Sequence, residues 1–167
     1  MVGRRNGGGS ITAPLIKQLP LSLGNAGKSD VRTQFAALCF RVKNGKTQIL
    51  LITSRGSGRW ILPKGWPIDG ATPHEAALQE AWEEAGVTGK VSPRPLGIYS
   101  YVKESSDDDD LPCVAMIYTV KVKSLAKAFP EADQRKRKWV SPKKAAAMVD
   151  EPELSRILRD FNPRAAL

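Results

Sequence analysis

Three glutamates have a spacing that an α-helix would bring onto one face. Glu80, Glu83 and Glu84 occupy positions i, i+3 and i+4, and side chains with this spacing are neighbours on a helix surface. Their charges repel one another, and the segment 72–85 contains no Lys or Arg to offset them. A hard divalent cation, magnesium or alternatively manganese, would turn this repulsion into binding because it prefers oxygen ligands. Taken alone, the glutamates leave a solvated acidic face as the alternative.

Basic residues before and after these glutamates could bind phosphate groups. The planar guanidinium group of arginine suits phosphate because it donates two hydrogen bonds at once. In a strand, Arg135 and Arg137 would face one way with Trp139, and the intervening lysines would face the other way. A solvated basic edge is the alternative for these side chains. The candidate phosphate-binding residues are Arg41, Arg55, Arg59, Lys64, Arg135 and Arg137.

The glutamates need a helix, and the sequence supplies its start and its end. Thr72 and Glu75 fit a capping box, with Pro73 at the first helical position. Gly86 is placed to terminate the helix. We therefore predict a helix over residues 72–85. Its apolar side consists of Ala77, Leu78, Ala81, Trp82 and Ala85.

Strand-like segments surround this helix. Residues 34–43 and 47–53 are predicted to form a hairpin, because Asn44 and Gly45 between them favour a tight turn. Strands before, between and after helices indicate a mixed α/β domain. Further strands are predicted over 96–103, 113–122 and 137–140, and further helices over 142–149 and 152–161.

Residues 65–87 resemble the Nudix box, the motif of the Nudix hydrolase family. The positions that match at the correct spacing are Gly65, Glu80, Ala81, Glu83, Glu84, Gly86 and Val87. Two positions depart from the motif: Ala71 replaces its early glutamate and Gln79 its arginine. The resemblance implies an α/β/α sandwich with a central mixed sheet, which we expect over residues 31–163. It also implies that Glu80 and Glu84 are the principal magnesium ligands, that Glu83 is a ligand or base, and that the Gly65 carbonyl group completes the shell.

Within the family, the chain is most similar to the diphosphoinositol polyphosphate phosphohydrolases, which also hydrolyse diadenosine polyphosphates. The similarity lies in residues 37–41, 54–55, 59–61, 83–87 and 135–139, whereas residues 63–66 replace that family's glycine run. The implied function is magnesium-dependent hydrolysis of a phosphoanhydride bond in a polyphosphate. The alternatives are another Nudix substrate, such as a nucleoside triphosphate, ADP-ribose or capped RNA, and a non-catalytic module that binds phosphorylated ligands or RNA. Ala71 and Gln79 are the support for the last alternative.

The composition constrains the partner and the location. The 167 residues carry a formal net charge of +9, which favours an anionic partner without choosing between a phosphorylated small molecule, nucleic acid and a membrane surface. No apolar run approaches the roughly 20 residues of a membrane span, and the N-terminal segment lacks the apolar core of a signal peptide. We expect a cytoplasmic protein that binds an anionic small molecule and no membrane. Cys39 and Cys113 are expected to be buried thiols.

Four smaller features complete the expectations. Residues 1–30 are predicted to be a flexible tail because they combine a glycine-rich start with scattered apolar residues. Residues 104–110 are predicted to be a mobile acidic loop between two strands. Glu131 is a candidate for an additional acidic group near the site, and His74 is assigned no catalytic role.

Overall fold

The computed structural model describes residues 18, 20, 21, 31–103 and 110–166 of the chain. The predicted tail lies outside the described residues except for Gln18, Pro20 and Leu21, and the predicted acidic loop lies outside them except for Asp110. The side-chain oxygen Oε1 of Gln18 accepts a hydrogen bond from the backbone N of Ile98 at 3.1 Å.

The described residues form one sheet with helices on both sides. The strands are β1 (Arg32–Lys43), β2 (Lys46–Thr53), β3 (Trp60–Ile61), β4 (Lys64–Gly65), β5 (Val87–Lys103), β6 (Leu111–Leu125) and β7 (Arg137–Val140). The helices are α1 (Pro73–Ala85), α2 (Pro142–Met148) and α3 (Pro152–Arg159), followed by a 3-10 turn at Pro163–Ala166. Every predicted helix and strand is present, and their ends differ from prediction mostly by a few residues.

The sheet is mixed, as predicted. Its main path runs in the order β3-β2-β1-β6-β5, while β4 pairs with β1 and β7 pairs with β2. The β1–β6 pair is parallel, and the other pairs are antiparallel. The predicted β1–β2 hairpin turns through Asn44 and Gly45, which have φ values of 53° and 73°, the left-handed values that such turns need.

Both faces of the sheet are buried. Because side chains alternate along each strand, neighbouring residues lie in the cores on opposite faces. Leu38 of β1 belongs to the same buried cluster as Leu158 of α3 on one face. The next residue, Cys39, lies on the other face in the cluster that contains Ala81 and Ala85 of α1. This arrangement confirms the expected α/β/α sandwich. Cys39 and Cys113 are buried free thiols.

Strand β5 is longer than predicted. It begins at Val87, directly after the glycine that ends α1, rather than at residue 96. Its pairing with β6 shifts register at three places between Thr88 and Gly97. Such bulges accommodate prolines and glycines that interrupt the alternation of a regular strand, so the first half of β5 lacked a readable pattern. No helix within the described residues is long and apolar enough to cross a membrane.

Candidate active site

A cavity of about 840 Å³ opens beside α1. Its wall contains residues from β1, the β2–β3 loop, β4 and the segment that follows it, α1, the end of β5 and the β6–β7 connection. The charged residues that line it are Arg55, Arg59, Lys64, Glu80, Glu84, Lys103, Glu131 and Arg135.

Helix α1 begins with the predicted capping box. The hydroxyl group of Thr72 accepts a hydrogen bond from the backbone N of Glu75 at 3.3 Å. In return, the backbone N of Thr72 donates to the Glu75 carboxylate at 3.3 Å. Gly86 ends the helix with φ 67° and ψ 25°, the left-handed conformation that glycine adopts without steric cost.

The C-terminal end of α1 binds the β6–β7 connection. The carbonyl oxygen of Glu83 accepts a hydrogen bond from the backbone N of Glu131 at 3.0 Å, and that of Gly86 accepts one from Ala126 N at 2.9 Å. These bonds satisfy carbonyl groups that a helix end leaves without intrahelical partners. They also bring the Glu131 carboxylate to the part of the cavity that contains Glu84.

Glu80 lies against β4 because Gly65 has no side chain. A Cβ atom at Gly65 would overlap the Glu80 carboxyl group, so a glycine lets α1 bring that carboxylate close to the β4 backbone. The pKa of Glu80 is raised to about 7, mainly by burial and also by the negative charges of Glu84, Glu83 and Glu131. The side chain therefore holds its proton at a pH where an ordinary glutamate is ionised.

Glu84 follows one turn later and is buried, with 4% of its surface exposed. Its Oε1 accepts a hydrogen bond from the backbone N of Lys64 at 3.3 Å, and Nη2 of Arg135 lies 3.5 Å from the same oxygen. Burial raises the pKa of Glu84 to about 7, although the charges of Arg135 and Lys64 act in the opposite direction.

The donor chemistry of these two glutamates suits a hard divalent cation. A cation between them would favour the ionised carboxylates that burial and repulsion disfavour. Within the residues that the structure describes, no three or more His, Cys, Asp or Glu side chains form a complete metal-binding group. Magnesium does not need such a group, because it keeps several waters and shares its shell with substrate phosphates. Glu80 and Glu84 therefore fit an ion that is bound together with a phosphorylated ligand.

Arg135 forms an ion pair with Glu84, and its side chain is only 7% exposed. Its Nη2 lies 3.1 Å from Oε1 of Glu131, and its Nη1 donates to the carbonyl oxygen of Thr53 at 3.1 Å. We call Glu80, Glu84, Glu131 and Arg135 the helix cluster. Because it holds three carboxyl groups and one arginine, its acidic groups are in excess.

A second group of charges lies where α3 begins. Nη1 of Arg59 lies 2.8 Å from Oε1 of Glu151 and 3.6 Å from Oδ2 of Asp150. The side chain of Glu151 is 9% exposed and that of Asp150 is 70% exposed. We call Arg59, Asp150 and Glu151 the loop cluster. Its buried member, Glu151, holds the arginine at the cavity wall.

Charges of both clusters affect the pKa of Lys64. Burial lowers its pKa to about 8, while the charges of Glu84 and Glu151 act to raise it. Its Nζ lies 4.8 Å from the centroid of the Tyr101 ring. Lys64 is therefore a partly desolvated cation at the cavity wall, the setting in which a phosphate group would be a strong partner.

Most of the predicted site residues thus come together, whereas Arg41, Glu83 and Arg137 do not line this cavity. Arg41 lies outside the cavity lining: its Nε donates to Oε1 of Gln48 at 2.7 Å, and its guanidinium group lies 4.1 Å from the Trp139 ring centroid. Glu83 faces a second depression, where its Oε1 accepts a hydrogen bond from Gln79 Nε2 at 2.9 Å. Ala71 lines the same depression.

Arg137 also lies outside the cavity lining and supports the fold. Its Nη1 donates to the carbonyl oxygens of Ala85 and Ala126, both at 2.9 Å. A cation there favours the C-terminal end of α1, whose last turn contains no basic residue of its own. Strand β7 begins only at Arg137, so the alternation that would place Arg135 on the same face does not extend to Arg135.

The cavity also contains residues that sequence reasoning did not select. Some are polar, as where the Tyr101 hydroxyl group donates to Oε1 of Gln34. Others are Trp66, Ile68, Val102 and Lys103. They come from segments that are distant in sequence, and no local motif marks them. Glu131, the additional acidic candidate from the sequence, also lines the cavity.

Comparisons with known proteins agree with this architecture. The family model of the NUDIX domain matches residues 32–161. Nudix hydrolase 13, mitochondrial, of Arabidopsis thaliana is 34% identical over 121 residues, which cover 70% of this chain and 60% of the relative. Diphosphoinositol polyphosphate phosphohydrolase 3-beta of Homo sapiens is 33% identical over 106 residues, covering 62% of this chain and 60% of the relative. The chain thus spans about 60% of the length of these curated relatives.

Solved structures show the same fold. A C. elegans Ap4A hydrolase in a binary complex has a TM-score of 0.60 and 21% identity, covering 81% of this chain and 98% of that chain. A NUDIX hydrolase from Nitrosomonas europaea has a TM-score of 0.60 and 17% identity, covering 80% and 90%. The family match, the fold and the glutamates of α1 lead to one conclusion: the chain belongs to the Nudix family.

Proposed function

We propose that this chain hydrolyses a phosphoanhydride bond in a highly phosphorylated substrate, with magnesium, or alternatively manganese, as cofactor. The observation that carries the proposal is one cavity that combines two partly desolvated carboxylates of α1 with four of the five cationic side chains that line it. They are Glu80 and Glu84 together with Arg55, Arg59, Lys64 and Arg135. Carboxylates alone would suit a cation and arginines alone an anion, whereas a phosphorylated ligand that brings magnesium uses both.

Different residues act on the positively charged metal ion and on the negatively charged phosphates. Glu80 and Glu84 would hold the ion, and Gly65 leaves room for the Glu80 carboxyl group beside β4. When bound, magnesium neutralises charge on the phosphate oxygens and lowers the pKa of a coordinated water. A carboxylate oxygen of the glutamates accepts the proton of the attacking water. The water oxygen bonds to phosphorus, and the bridging oxygen leaves with the other phosphate-bearing fragment.

The cationic residues bind the phosphates that do not react. Arg55 is 61% exposed at the rim, so it can move to a ligand at small cost. Arg59 is 33% exposed and is fixed by its ion pair with Glu151. Preorganised cations of this kind stabilise charge that develops on the phosphate oxygens in the transition state.

We further propose that the substrate is a diadenosine polyphosphate or a diphosphoinositol polyphosphate. Support comes from the cationic cavity, from the net charge of +9 and from the relative named as a diphosphoinositol polyphosphate phosphohydrolase. Both classes carry a chain or cluster of phosphates that needs several cations at once.

The test measures product formation from each substrate. Ion-exchange chromatography quantifies the products at a series of magnesium concentrations. We expect turnover that requires the metal, and a fall in kcat of about 100-fold or more in Glu84→Gln, the range for loss of a proton acceptor or metal ligand. Glu75→Gln is the matched control, because it lies on the same helix outside the cavity and glutamine also completes a capping box.

The result that contradicts the proposal is equally concrete. It fails if the wild-type chain binds these polyphosphates tightly without magnesium and releases no product from any of them. It also fails if Glu84→Gln and Glu75→Gln retain the same activity as the wild type.

A further inference from the structure

Apolar side chains gather at the mouth of the cavity. Four large hydrophobic side chains are exposed within the described part of the chain, and three of them line the cavity. Trp66 is 38% exposed, Ile68 is 36% exposed and Val102 is 52% exposed. Grouped exposure of this kind is costly in water and marks binding surfaces. We call Trp66, Ile68 and Val102 the apolar rim.

The apolar rim is held in place by the sheet. Trp66 directly follows Gly65, which pairs with Phe35 of β1, so the backbone that carries the indole ring is fixed. Nζ of Lys103 lies 4.8 Å from the centroid of that ring, which is within the range of a cation–π contact. The mouth of the cavity therefore presents an aromatic ring and a cation beside its charged wall.

We infer that the apolar rim binds the nucleobase of a nucleoside polyphosphate whose phosphates lie at Arg59, Lys64 and Arg135. This inference rests on the proposed function and narrows its substrate class. A purine is planar and has a π face that stacks on an indole ring. Ile68 and Val102 exclude water from such a stack.

The alternative substrate fits the apolar rim poorly. An inositol polyphosphate carries hydroxyl and phosphate groups around its ring and has no aromatic face. Placing it against Trp66 would remove water from its polar groups without supplying hydrogen bonds, which is unfavourable. Between the two substrate classes, the apolar rim therefore favours the dinucleoside polyphosphate. Because stacking needs only a π face, adenine and guanine should be accepted with similar affinity.

The test compares Trp66→Ala on two substrates, diadenosine tetraphosphate and a diphosphoinositol polyphosphate. For diadenosine tetraphosphate we expect KM to rise by roughly tenfold, the order expected for loss of one stacked base, with kcat nearly unchanged. KM for the diphosphoinositol polyphosphate should not change. Trp66→Phe should retain most of the affinity, because it keeps an aromatic ring. Val42→Ala is the control, since Val42 is 55% exposed and lies outside the cavity lining.

Binding measurements separate this inference from the proposed function. ATP and inorganic tripolyphosphate are titrated against wild type and Trp66→Ala, and bound ligand is measured by calorimetry. We expect Trp66→Ala to weaken ATP and leave tripolyphosphate unaffected, whether or not the chain is catalytically active. Equal effects of Trp66→Ala on both ligands, or no effect on ATP, would overturn the inference. Absence of turnover with ATP binding still sensitive to Trp66 would overturn only the proposed function.

Discussion

The helix cluster and the loop cluster lie at the same cavity and balance their charges differently. The helix cluster combines one buried arginine, Arg135, with three carboxyl groups, and the pKa values of Glu80 and Glu84 are raised to about 7. In the loop cluster, Arg59 forms a direct 2.8 Å ion pair with the buried carboxylate of Glu151. One cluster has unfavourable negative charge, and the other has its buried charges paired.

In the proposed function, this difference lets one cavity bind both a metal ion and a phosphate group. Excess carboxylate is unfavourable until a cation arrives, so the helix cluster is suited to the metal. A paired arginine is already oriented, so the loop cluster is suited to hold a phosphate in a fixed place. The backbone N of Lys64 donates a hydrogen bond to Glu84. The acids of both clusters act to raise the pKa of its side chain.

The largest effect that tests this comparison is expected from Arg135. In Arg135→Met, the helix cluster keeps three carboxyl groups and loses the buried guanidinium group that lies between two of them. We expect the free energy of unfolding to fall by about 3 kcal/mol, because removal of one partner leaves buried charge without compensation. Denaturation with urea measures the change.

The control for this effect is Arg55→Met. Arg55 also pairs with Glu131, at 3.4 Å, but its side chain is 61% exposed. Its loss should cost less than about 1 kcal/mol, as for other surface ion pairs. Equal losses in the two variants would mean that burial of the helix cluster does not govern its energetics.

An intermediate effect is expected from Glu151, which contacts the cavity only through Arg59. Glu151→Gln keeps an oxygen acceptor for Arg59 and removes the charge that fixes it. We expect KM to rise about tenfold with little change in kcat, because a misplaced phosphate-binding group weakens binding of the substrate. Steady-state kinetics on diadenosine tetraphosphate measures both constants.

Asp150→Asn is the matched variant for Glu151. Asp150 lies 3.6 Å from the same arginine but is 70% exposed, so its removal should leave KM close to the wild-type value. A fall in kcat at constant KM in Glu151→Gln would show that Glu151 does not act by positioning Arg59.

Local signals explain which parts of the fold were predictable from the sequence. The capping box at Thr72 and the turn at Asn44 and Gly45 are contained in a few neighbouring residues, and both features are present. The approach of Arg135 to the carbonyl oxygen of Thr53 joins residues 82 positions apart, and no short motif records it. For the same reason, Arg137 resembled a ligand-binding residue in the sequence although it stabilises the end of α1.

The site residues also differ in whether a local sequence pattern marks them. The spacing of Glu80 and Glu84 was readable because a helix has a fixed period. Glu151 was not, because it reaches the site through Arg59, a residue 92 positions away. Trp66 lies within the recognised motif at a position where the motif specifies no residue type, and only its contact with Lys103 and its place in the cavity lining show that its ring lies at the cavity mouth.

The smallest effect concerns Glu75, a glutamate of α1 whose pKa is shifted in the opposite direction. Hydrogen bonds from the side chain and backbone of Thr72 lower its pKa from the ordinary value of 4.5. A lowered carboxyl pKa contributes stability that is fully present above the ordinary value and is lost as the pH falls through the lowered one. Glu75→Gln should therefore have a slightly lower Tm than the wild type near pH 7.

The pH dependence of that difference separates a charged cap from a merely polar one. Scanning calorimetry of both proteins between pH 3 and pH 7 should show the two Tm values converging at the acidic end, because protonated Glu75 then resembles glutamine. A constant difference across the range would mean that the Glu75 charge adds nothing to the cap. A convergence would show that the cap stabilises Glu75 as an anion, whereas burial raises the pKa of Glu80 and Glu84 on the same helix and disfavours their anions.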